Sequence, residues 1–138
     1  MILADSNILI DVISKDPVWL SWSLDQLDGR HQCKILINQM VVAEVAPRYG
    51  SLAAFVFEIE AWGISIDEYG ADTAFAAGTA FIHYKRNRGK GAPPLPLPDF
   101  FIGGHAQTIG ATILTRDPRF YRAYFPDVPL IAPEKDET

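Results

Sequence analysis

Two kinds of hydrophobic pattern alternate along this chain. Short uncharged apolar runs are typical of buried strands, and longer stretches with apolar residues every three or four positions are typical of amphipathic helices. The predicted strands are residues 2–4, 34–38, 64–66, 111–115 and 129–132. The predicted helices are residues 7–14, 17–27 (with Asp16 as N-cap), 52–62, 71–88, 99–109 and 118–124, and one more that Asn38 caps and Pro47 and Gly50 bend or end. This alternation predicts a three-layer α/β domain, in which helices flank a central, mostly parallel sheet of about five strands.

Residues 88–98, with the sequence RGKGAPPLPLP, interrupt the alternation. Glycine and proline at this density exclude a helix or a central strand and predict a surface loop. The loop is too short to separate two domains, and 138 residues suit a single hydrophobic core. We therefore predict one domain over residues 1–133, followed by a flexible acidic tail over residues 134–138.

Composition indicates where the protein works. Hydrophobic residues make up 49% of the chain, but no apolar stretch reaches the roughly 18–20 residues that span a bilayer. We expect no membrane segment, and the start of the chain does not have the pattern of a signal peptide. Cys33 is the one cysteine, so it cannot form a disulfide within the chain, and we interpret it as a packing residue. These features fit a cytoplasmic protein.

Four acidic residues stand where the predicted fold would place a binding site. Asp5 follows the first strand, Glu44 lies in the helix after the second strand, and Asp117 follows the fourth strand. Ligands of parallel α/β sheets bind beyond the carboxyl ends of the strands. Asp99 begins the helix that leads into the fourth strand, so it joins the others only if the N-terminus of that helix points to the same edge of the sheet.

Carboxylates that converge in this way repel one another unless a cation joins them. A set of oxygen ligands without a histidine or cysteine cluster selects a hard ion, Mg²⁺ or Mn²⁺, over zinc. Such a site suits phosphodiester hydrolysis, because the metal can lower the pKa of a bound water, orient the phosphate and offset charge on the leaving oxygen.

Each acid also has a structural interpretation. Asp5 could cap the first helix, although Ser6 or Asn7 could do so instead, and a metal role is favoured. Capping and metal binding are equally supported for Asp99 and for Asp117, taken singly. Glu44 lies in an otherwise apolar turn, where a glutamate is seldom buried without a partner, so a functional role is favoured.

The four acids lie in four short motifs: Leu3-Ala4-Asp5-Ser6-Asn7, Val42-Ala43-Glu44-Val45, Pro98-Asp99-Phe100-Phe101-Ile102-Gly103-Gly104-His105-Ala106 and Leu114-Thr115-Arg116-Asp117-Pro118-Arg119-Phe120. In order, spacing and total length, this set resembles the PIN-domain nucleases, and most closely the VapC-type toxins. The resemblance covers nearly the whole chain. One departure is Gly103-Gly104, where the family usually has alanines; two glycines weaken the helix or permit close packing.

The resemblance implies a Mg²⁺-dependent endoribonuclease, in which Mn²⁺ can replace Mg²⁺. It also implies a toxin that a cognate antitoxin holds inactive, and a homodimer. The residues implied as ligands of the metal, directly or through water, are Asp5, Glu44, Asp99 and Asp117. The residues implied as supporting polar groups are Ser6, Asn7 and Thr115, for which capping and turn formation are the alternative roles.

The net charge of −5 argues by itself against a nucleic-acid partner, because such domains are usually basic. Seven of the twelve basic residues, however, lie in two short patches: Lys85, Arg86, Arg88 and Lys90, and Arg116, Arg119 and Arg122. The first patch could bind RNA phosphates or be a solvated helix end. Arg116 is the better candidate for a phosphate contact, with a surface salt bridge as its alternative. No metal role is predicted for His105, which lies on a different helix face from Asp99.

Other interpretations compete with a toxin nuclease. A haloacid-dehalogenase-like phosphatase needs a second aspartate where this chain has Asn7, and the adjacent acids of a receiver domain are not visible. Two alternatives within the same fold stay open: a non-toxin PIN-domain nuclease of RNA processing, and a PIN-fold module that binds RNA or protein without cleavage. The presence of all four acids favours cleavage over binding alone.

Overall fold

Five parallel strands form the centre of the domain. The computed structural model describes residues 1–29, 32–89, 94 and 97–133. Within them the strands are β1 (Ile2–Ala4), β2 (Ile35–Ile37), β3 (Ile64–Ile66), β4 (Thr112–Leu114) and β5 (Leu130–Ile131). They pair in the order β3-β2-β1-β4-β5, and each pairing is parallel. The predicted α/β fold with a central parallel sheet is confirmed.

Seven α-helices connect these strands in the described part of the chain. They are α1 (Ser6–Ile13), α2 (Leu20–Leu27), α3 (Gln39–Val45), α4 (Leu52–Ala61), α5 (Ala71–Asn87), α6 (Leu97–Ile109) and α7 (Pro118–Tyr124). Asn38 caps α3 as predicted, because its Oδ1 accepts hydrogen bonds from the backbone N–H groups of Met40 and Val41. A 3-10 turn at Ala46–Arg48 follows α3, where Pro47 was predicted to bend or end the helix.

Three helices begin at other positions than predicted, and the smallest difference is at α1, which begins at Ser6, one residue before its predicted start. Asp16 accepts hydrogen bonds from Val18 N and Trp19 N, so it caps a turn, and α2 itself begins only at Leu20. Helix α6 begins at Leu97, two residues before Asp99. Pro98 fits in the first turn because the N–H that proline lacks would have no partner within the helix there. Some of the predictions lie outside the described residues: the tail over residues 134–138, Lys90 and most of the predicted loop.

An aromatic cluster holds α6 against α5 and α7. Phe100 is fully buried, and its ring packs edge-on against Phe120 at a centroid distance of 4.7 Å. It also contacts Tyr84 of α5 at 5.6 Å. Burial of a side chain of this size stabilises the fold by about 1.5–3 kcal/mol. The cluster therefore fixes the start of α6, which carries Asp99, relative to the rest of the domain.

Helices α5 and α6 run antiparallel and in close contact. Thr73 near the start of α5 is 2.8 Å from Thr108 near the end of α6, measured between their hydroxyl oxygens. A Cβ at Gly104 would lie 3.0 Å from Ala77 N of α5, and one at Gly103 would overlap the ring of Phe125. The two glycines therefore permit close packing, which is one of the two roles expected from the sequence.

The structure also addresses two expectations drawn from composition. Cys33 is exposed, so its interpretation as a packing residue is wrong. The physical reason is its place in an exposed stretch before β2, since burial begins only at Ile35. Among the described residues no single helix combines the length and apolar character needed to cross a membrane, although the bent pair Gln39–Arg48 and Leu52–Ala61, at 106°, meets both measures when taken together.

Candidate active site

The site lies at the carboxyl ends of the two central strands, β1 and β4. These strands pair in register, with Ala4 opposite Leu114, so that Asp5 and Thr115 are the next residues on both. The backbone N–H of Asp5 donates to the carbonyl of Leu114 at 2.9 Å and extends the pairing by one bond. The sheet therefore brings two residues 110 positions apart in the sequence into direct contact.

Asp5 is a buried carboxylate with a fixed orientation. Its Oδ1 accepts a hydrogen bond from Ser6 N at 2.8 Å, which caps α1. Its Oδ2 accepts from Thr115 Oγ1 and from the Tyr121 hydroxyl, both at 2.9 Å. Burial raises the pKa of Asp5, and these three hydrogen bonds oppose the rise. Asp5 thus serves as a helix cap and as a member of the acidic site at once.

Thr115 links Asp5 to the loop that carries Asp117. Its Oγ1 donates to Asp5 and accepts from Asp117 N at 3.0 Å and from Asn7 Nδ2 at 3.4 Å. Asn7 Oδ1 in turn accepts from Arg116 N at 3.3 Å. These bonds hold the 115–117 loop against the start of α1, so the predicted supporting residues Asn7 and Thr115 both lie at the site.

Asp99 and Glu44 reach the same edge from α6 and α3. Partial burial raises the pKa of Asp99 to about 7, and the negative charges of Asp5, Glu44 and Asp117 contribute to the rise. Partial burial and the charge of Asp5 raise the pKa of Glu44, while a hydrogen bond with the Ser6 side chain opposes them. The N-terminus of α6 therefore points to the carboxyl edge of the sheet, which the sequence had left open.

The structure also bears on the capping alternatives for two of the acids. Asp117 is exposed and makes no side-chain capping bond to α7, although it precedes that helix. Asp99 lies inside the first turn of α6 and so is not the residue before its start. Helix capping therefore does not account for either carboxylate.

The donor set fits a hard divalent cation. The negative charges of neighbouring carboxylates contribute to the raised pKa values of Asp5, Glu44 and Asp99, and a positive charge between them would relieve that repulsion. Among the residues that the structure describes, no three Asp, Glu, His or Cys side chains are close enough to enclose an ion by themselves. Mg²⁺ is compatible with this spacing, since it usually keeps several waters and takes only one or two carboxylates directly.

Tyr121 and Asp11 are site residues that the sequence analysis missed. The Tyr121 hydroxyl donates to Asp5, and burial together with the charge of Asp5 raises its pKa well above the ordinary value. Asp11 is buried on α1 and accepts from Arg116 Nε at 2.7 Å and from Ser23 Oγ at 2.8 Å. A buried acid on a helix face that is otherwise apolar was the available signal, because such an acid needs a partner.

Arg116 points inward from its loop. Its guanidinium lies over the ring of Trp19 at 5.5 Å and pairs with Asp11, and 29% of its side chain is exposed. The salt bridge that was the alternative to a phosphate contact is therefore present, but it is made to a buried acid.

The basic end of α5 lies beside the start of α6. Lys85, Arg86 and Arg88 are exposed, and Arg88 Nη1 donates to the Tyr84 hydroxyl at 3.4 Å. The Tyr84 ring packs on Phe100, the residue after Asp99, so this end of α5 lies close to the start of the helix that carries Asp99. Lys90, the fourth member of the predicted patch, lies outside the described residues.

Comparison with protein families gives one match over most of the chain. The PIN domain model matches residues 2–126. A search of curated proteins finds no significant match.

Solved structures with the same fold were also found. One is VapBC2 from Rickettsia felis bound to a DNA fragment from its promoter, at 22% identity and a TM-score of 0.67, covering 96% of this chain and 98% of that one. A second is DNA-bound VapBC from Salmonella typhimurium, at 21% identity and a TM-score of 0.65, covering 95% and 96%. A third is a toxin–antitoxin complex from Klebsiella pneumoniae, at 22% identity and a TM-score of 0.64, covering 97% and 98%. At these identities the likeness shows the fold alone.

Proposed function

Because the chain belongs to the PIN domain family, we propose that it is a Mg²⁺-dependent endoribonuclease and the toxin of a VapBC-like toxin–antitoxin pair. Membership in the family supports a nuclease, a hydrolase that acts on nucleic acid. The observation that carries the proposal for this chain is the electrostatic coupling of Asp5, Glu44, Asp99 and Asp117 at one edge of the sheet. We assign these four as the catalytic, metal-binding acids.

The chain's own residues prepare this site in three ways. Thr115 and Tyr121 fix Oδ2 of Asp5, so that this carboxylate keeps one orientation through the reaction. Thr115 also holds Asp117 N, which sets the distance between the two aspartates. With a pKa of about 7, Asp99 can hold or release a proton close to neutral pH. When bound, Mg²⁺ or Mn²⁺ would activate a water and offset negative charge on the phosphate.

RNA is the proposed substrate, and two parts of the chain support it. Lys85, Arg86 and Arg88 supply positive charge beside an acidic site that would otherwise repel a polyanion. Arg116 remains partly exposed next to Asp117 and can offer its outer N–H groups to a phosphate while Nε stays on Asp11. We propose the same role for Lys90, which belongs to the same basic patch of the sequence.

We further propose an antitoxin partner, a homodimer and a cytoplasmic location. Large apolar side chains such as Phe57 and Phe75, 80% and 79% exposed, are of the kind that protein partners cover. Of the three solved structures described above, two are VapBC complexes and one is a toxin–antitoxin complex, which favours a VapBC-like toxin over a nuclease of general RNA processing. The free, exposed Cys33 fits a reducing compartment.

The test compares the wild-type protein with Asp5→Asn. We expect wild type to bind Mn²⁺ in calorimetry and to cut RNA, and the variant to lose both while keeping its circular dichroism spectrum. Asp127→Asn is the matched control, because Asp127 is an exposed aspartate between α7 and β5, where it contributes nothing to the site. Cleavage that persists at wild-type rate in Asp5→Asn, purified free of contaminating nuclease, would contradict the proposal, and a protein that binds RNA without metal or cleavage would support the binding-module alternative.

A further inference from the structure

His105 lies at the centre of a buried polar network that does not include the four acids. It is 1% exposed, and both ring nitrogens have partners. Nδ1 is 3.2 Å from Asn38 Nδ2, and Nε2 is 2.8 Å from Asp67 Oδ2. The ring of Tyr69 packs edge-on against the imidazole at 5.9 Å. A buried imidazole with this many specific partners does more than fill space in the core, because its hydrogen bonds fix its position.

The bonds of Asn38 determine which nitrogen of His105 carries the proton. Asn38 Oδ1 is occupied by the N–H groups of Met40 and Val41, at 3.0 and 3.3 Å. Its NH₂ group must therefore face His105, since a flipped amide would point two donors at two donors. Asn38 thus donates to Nδ1, and Nε2 carries the proton and donates to Asp67.

This network joins the two helices that carry Glu44 and Asp99. Asn38 is the N-cap of α3 and lies six residues before Glu44, while His105 lies six residues after Asp99 on α6. Six residues of α-helix rise about 9 Å, so the link stands about that far along each helix axis from the acid that the helix carries. A shift of either helix at the link would therefore move the acid that this helix carries.

The third partner ties this link to the sheet. Asp67 directly follows β3, and its backbone N–H donates to Ile37 O of β2 at 2.8 Å. The neighbouring Tyr69 is held by Gln39 of α3, whose side-chain Oε1 accepts from Tyr69 N at 3.0 Å. The 67–69 segment is thus fixed between α3 and α6, and His105 bonds to a rigid group.

We propose that His105 is a positioning residue, which holds α3 and α6 at the separation that lets Glu44 and Asp99 share one cation. This inference rests on the proposed function, because the separation matters only if the two acids act on the same ion. Groups that orient metal ligands without touching the metal typically change affinity or activity by 10–100-fold when removed. The polar contacts of His105, and not its bulk alone, supply this effect.

Two variants remove the network from different sides. His105→Phe keeps a ring of similar size and removes both polar contacts. Asp67→Ala removes the acceptor of Nε2 at a residue whose side chain is 44% exposed, so it tests the proposal even if the buried substitution prevents folding. Glu68→Ala is the matched control for lost charge, and His83→Ala for a lost histidine. Both residues are exposed, and within the described part of the chain neither has a hydrogen bond to α3 or α6.

Three measurements decide between positioning and ordinary packing. In metal-free wild type, the ¹⁵N spectrum of the imidazole should show the proton on Nε2. Calorimetry should show Mn²⁺ binding weakened about 10-fold or more in His105→Phe and Asp67→Ala and unchanged in both controls. RNA cleavage should show a lower kcat with an unchanged KM, since the RNA contacts are elsewhere.

Each possible result has a defined meaning. A proton on Nδ1, or folded His105→Phe and Asp67→Ala variants with Mn²⁺ affinity within twofold of wild type, would overturn the positioning role. A wild-type protein that neither binds Mn²⁺ nor cuts RNA would instead overturn the proposed function. The two failures are therefore distinguishable.

Discussion

Asp99 combines partial burial with three like-charged neighbours, and these effects raise its pKa from 3.8 to about 7. Its charge therefore changes within the pH range in which an enzyme at neutral pH operates. A carboxylate must be ionised to bind a cation, so metal affinity should increase as pH rises toward and through 7.

The same shift makes the stability of the metal-free protein depend on pH. The folded-state pKa lies above the unfolded one, so ionisation of Asp99 is disfavoured in the fold, and stability is lost as pH rises from about 4 to about 7. We expect Asp99→Asn, which cannot ionise, to be more stable than wild type above pH 7 by about 1–2 kcal/mol, less than the full shift would give because Asp99 is partly exposed. The difference should vanish near pH 4. Urea denaturation without metal at both pH values measures it, and a variant less stable than wild type at high pH would contradict it.

The roles of single residues were predictable where sequence position alone determines them. Asp5 and Asp117 follow strands, so a parallel sheet places them at one edge, as expected. Tyr121 and Asp11 could not be found in this way, because their partners Asp5 and Arg116 lie 116 and 105 positions away. His105 was judged only by its angle to Asp99, which says nothing about Asn38 or Asp67 across the helix interface.

At the scale of elements, the contact between α5 and α6 depends on residues without side chains. Gly103 and Gly104 are buried in the middle of α6, where glycine ordinarily costs a helix about 1 kcal/mol relative to alanine. Alanine is disfavoured at these two positions because its Cβ would lie too close to the Phe125 ring or to the backbone of α5. From the sequence, the two glycines could either permit close packing or weaken the helix. Only the distances between α6 and its neighbours could decide between these two roles.

We therefore expect alanine to act oppositely at two helical glycines. Gly103→Ala should destabilise the protein by about 1–3 kcal/mol, because the added methyl overlaps the buried Phe125 ring. Gly78→Ala in α5 should stabilise it by about 0.5–1 kcal/mol, since the added methyl meets nothing within 4 Å apart from its chain neighbours and the adjacent backbone of its own helix. Thermal and urea unfolding of both variants measure the change in stability. Stabilisation by Gly103→Ala would contradict the prediction, because it would show that the Phe125 ring moves aside at little cost.

The pair formed by Arg116 and Asp11 connects the β4–α7 loop to α1. Its two members differ in how deeply they are buried. The Asp11 side chain is 1% exposed and its Oδ1 has no hydrogen-bond partner among the residues that the structure describes, whereas Arg116 can turn toward solvent. Arg116→Met should cost about 3 kcal/mol, the low end for a broken buried pair, because it leaves a buried charge to which Ser23 alone still donates. Asp11→Asn should cost about 1 kcal/mol.

A double-mutant cycle tests this inequality. The double variant should be more stable than the sum of the single costs predicts, because no buried charge is then left without a partner. Urea denaturation measures all three variants, with Arg119→Met as the control at an exposed arginine. Additive costs would mean that the pair is not coupled.

Element boundaries were predictable to within a few residues, and the exceptions have local causes. Helix α2 begins late because the hydrogen bonds of Asp16 form a separate turn before it. The orientation of α6 was not predictable, since it depends on the antiparallel packing of α5 and on the aromatic cluster around Phe100. That orientation is what brings Asp99 to the other acids.

For the whole molecule, the acidic edge couples metal binding to stability. A cation that binds only the folded state stabilises it by about 2.7 kcal/mol at 100 times its Kd. We expect Mg²⁺ to raise the Tm of wild type by several degrees and to leave the Tm of Asp5→Asn unchanged. Differential scanning fluorimetry with NaCl of equal ionic strength as the control measures the effect. An equal rise in both proteins would show that the ion acts elsewhere.

The Arg116–Asp11 pair also has an evolutionary consequence. Neither position can change freely on its own, because loss of the arginine leaves a buried anion and loss of the aspartate leaves Ser23 and Arg116 without their shared acceptor. Homologues should therefore replace positions 11 and 116 together or keep both. A family alignment should show these two positions covarying as strongly as residues in adjacent strands, although 105 positions separate them.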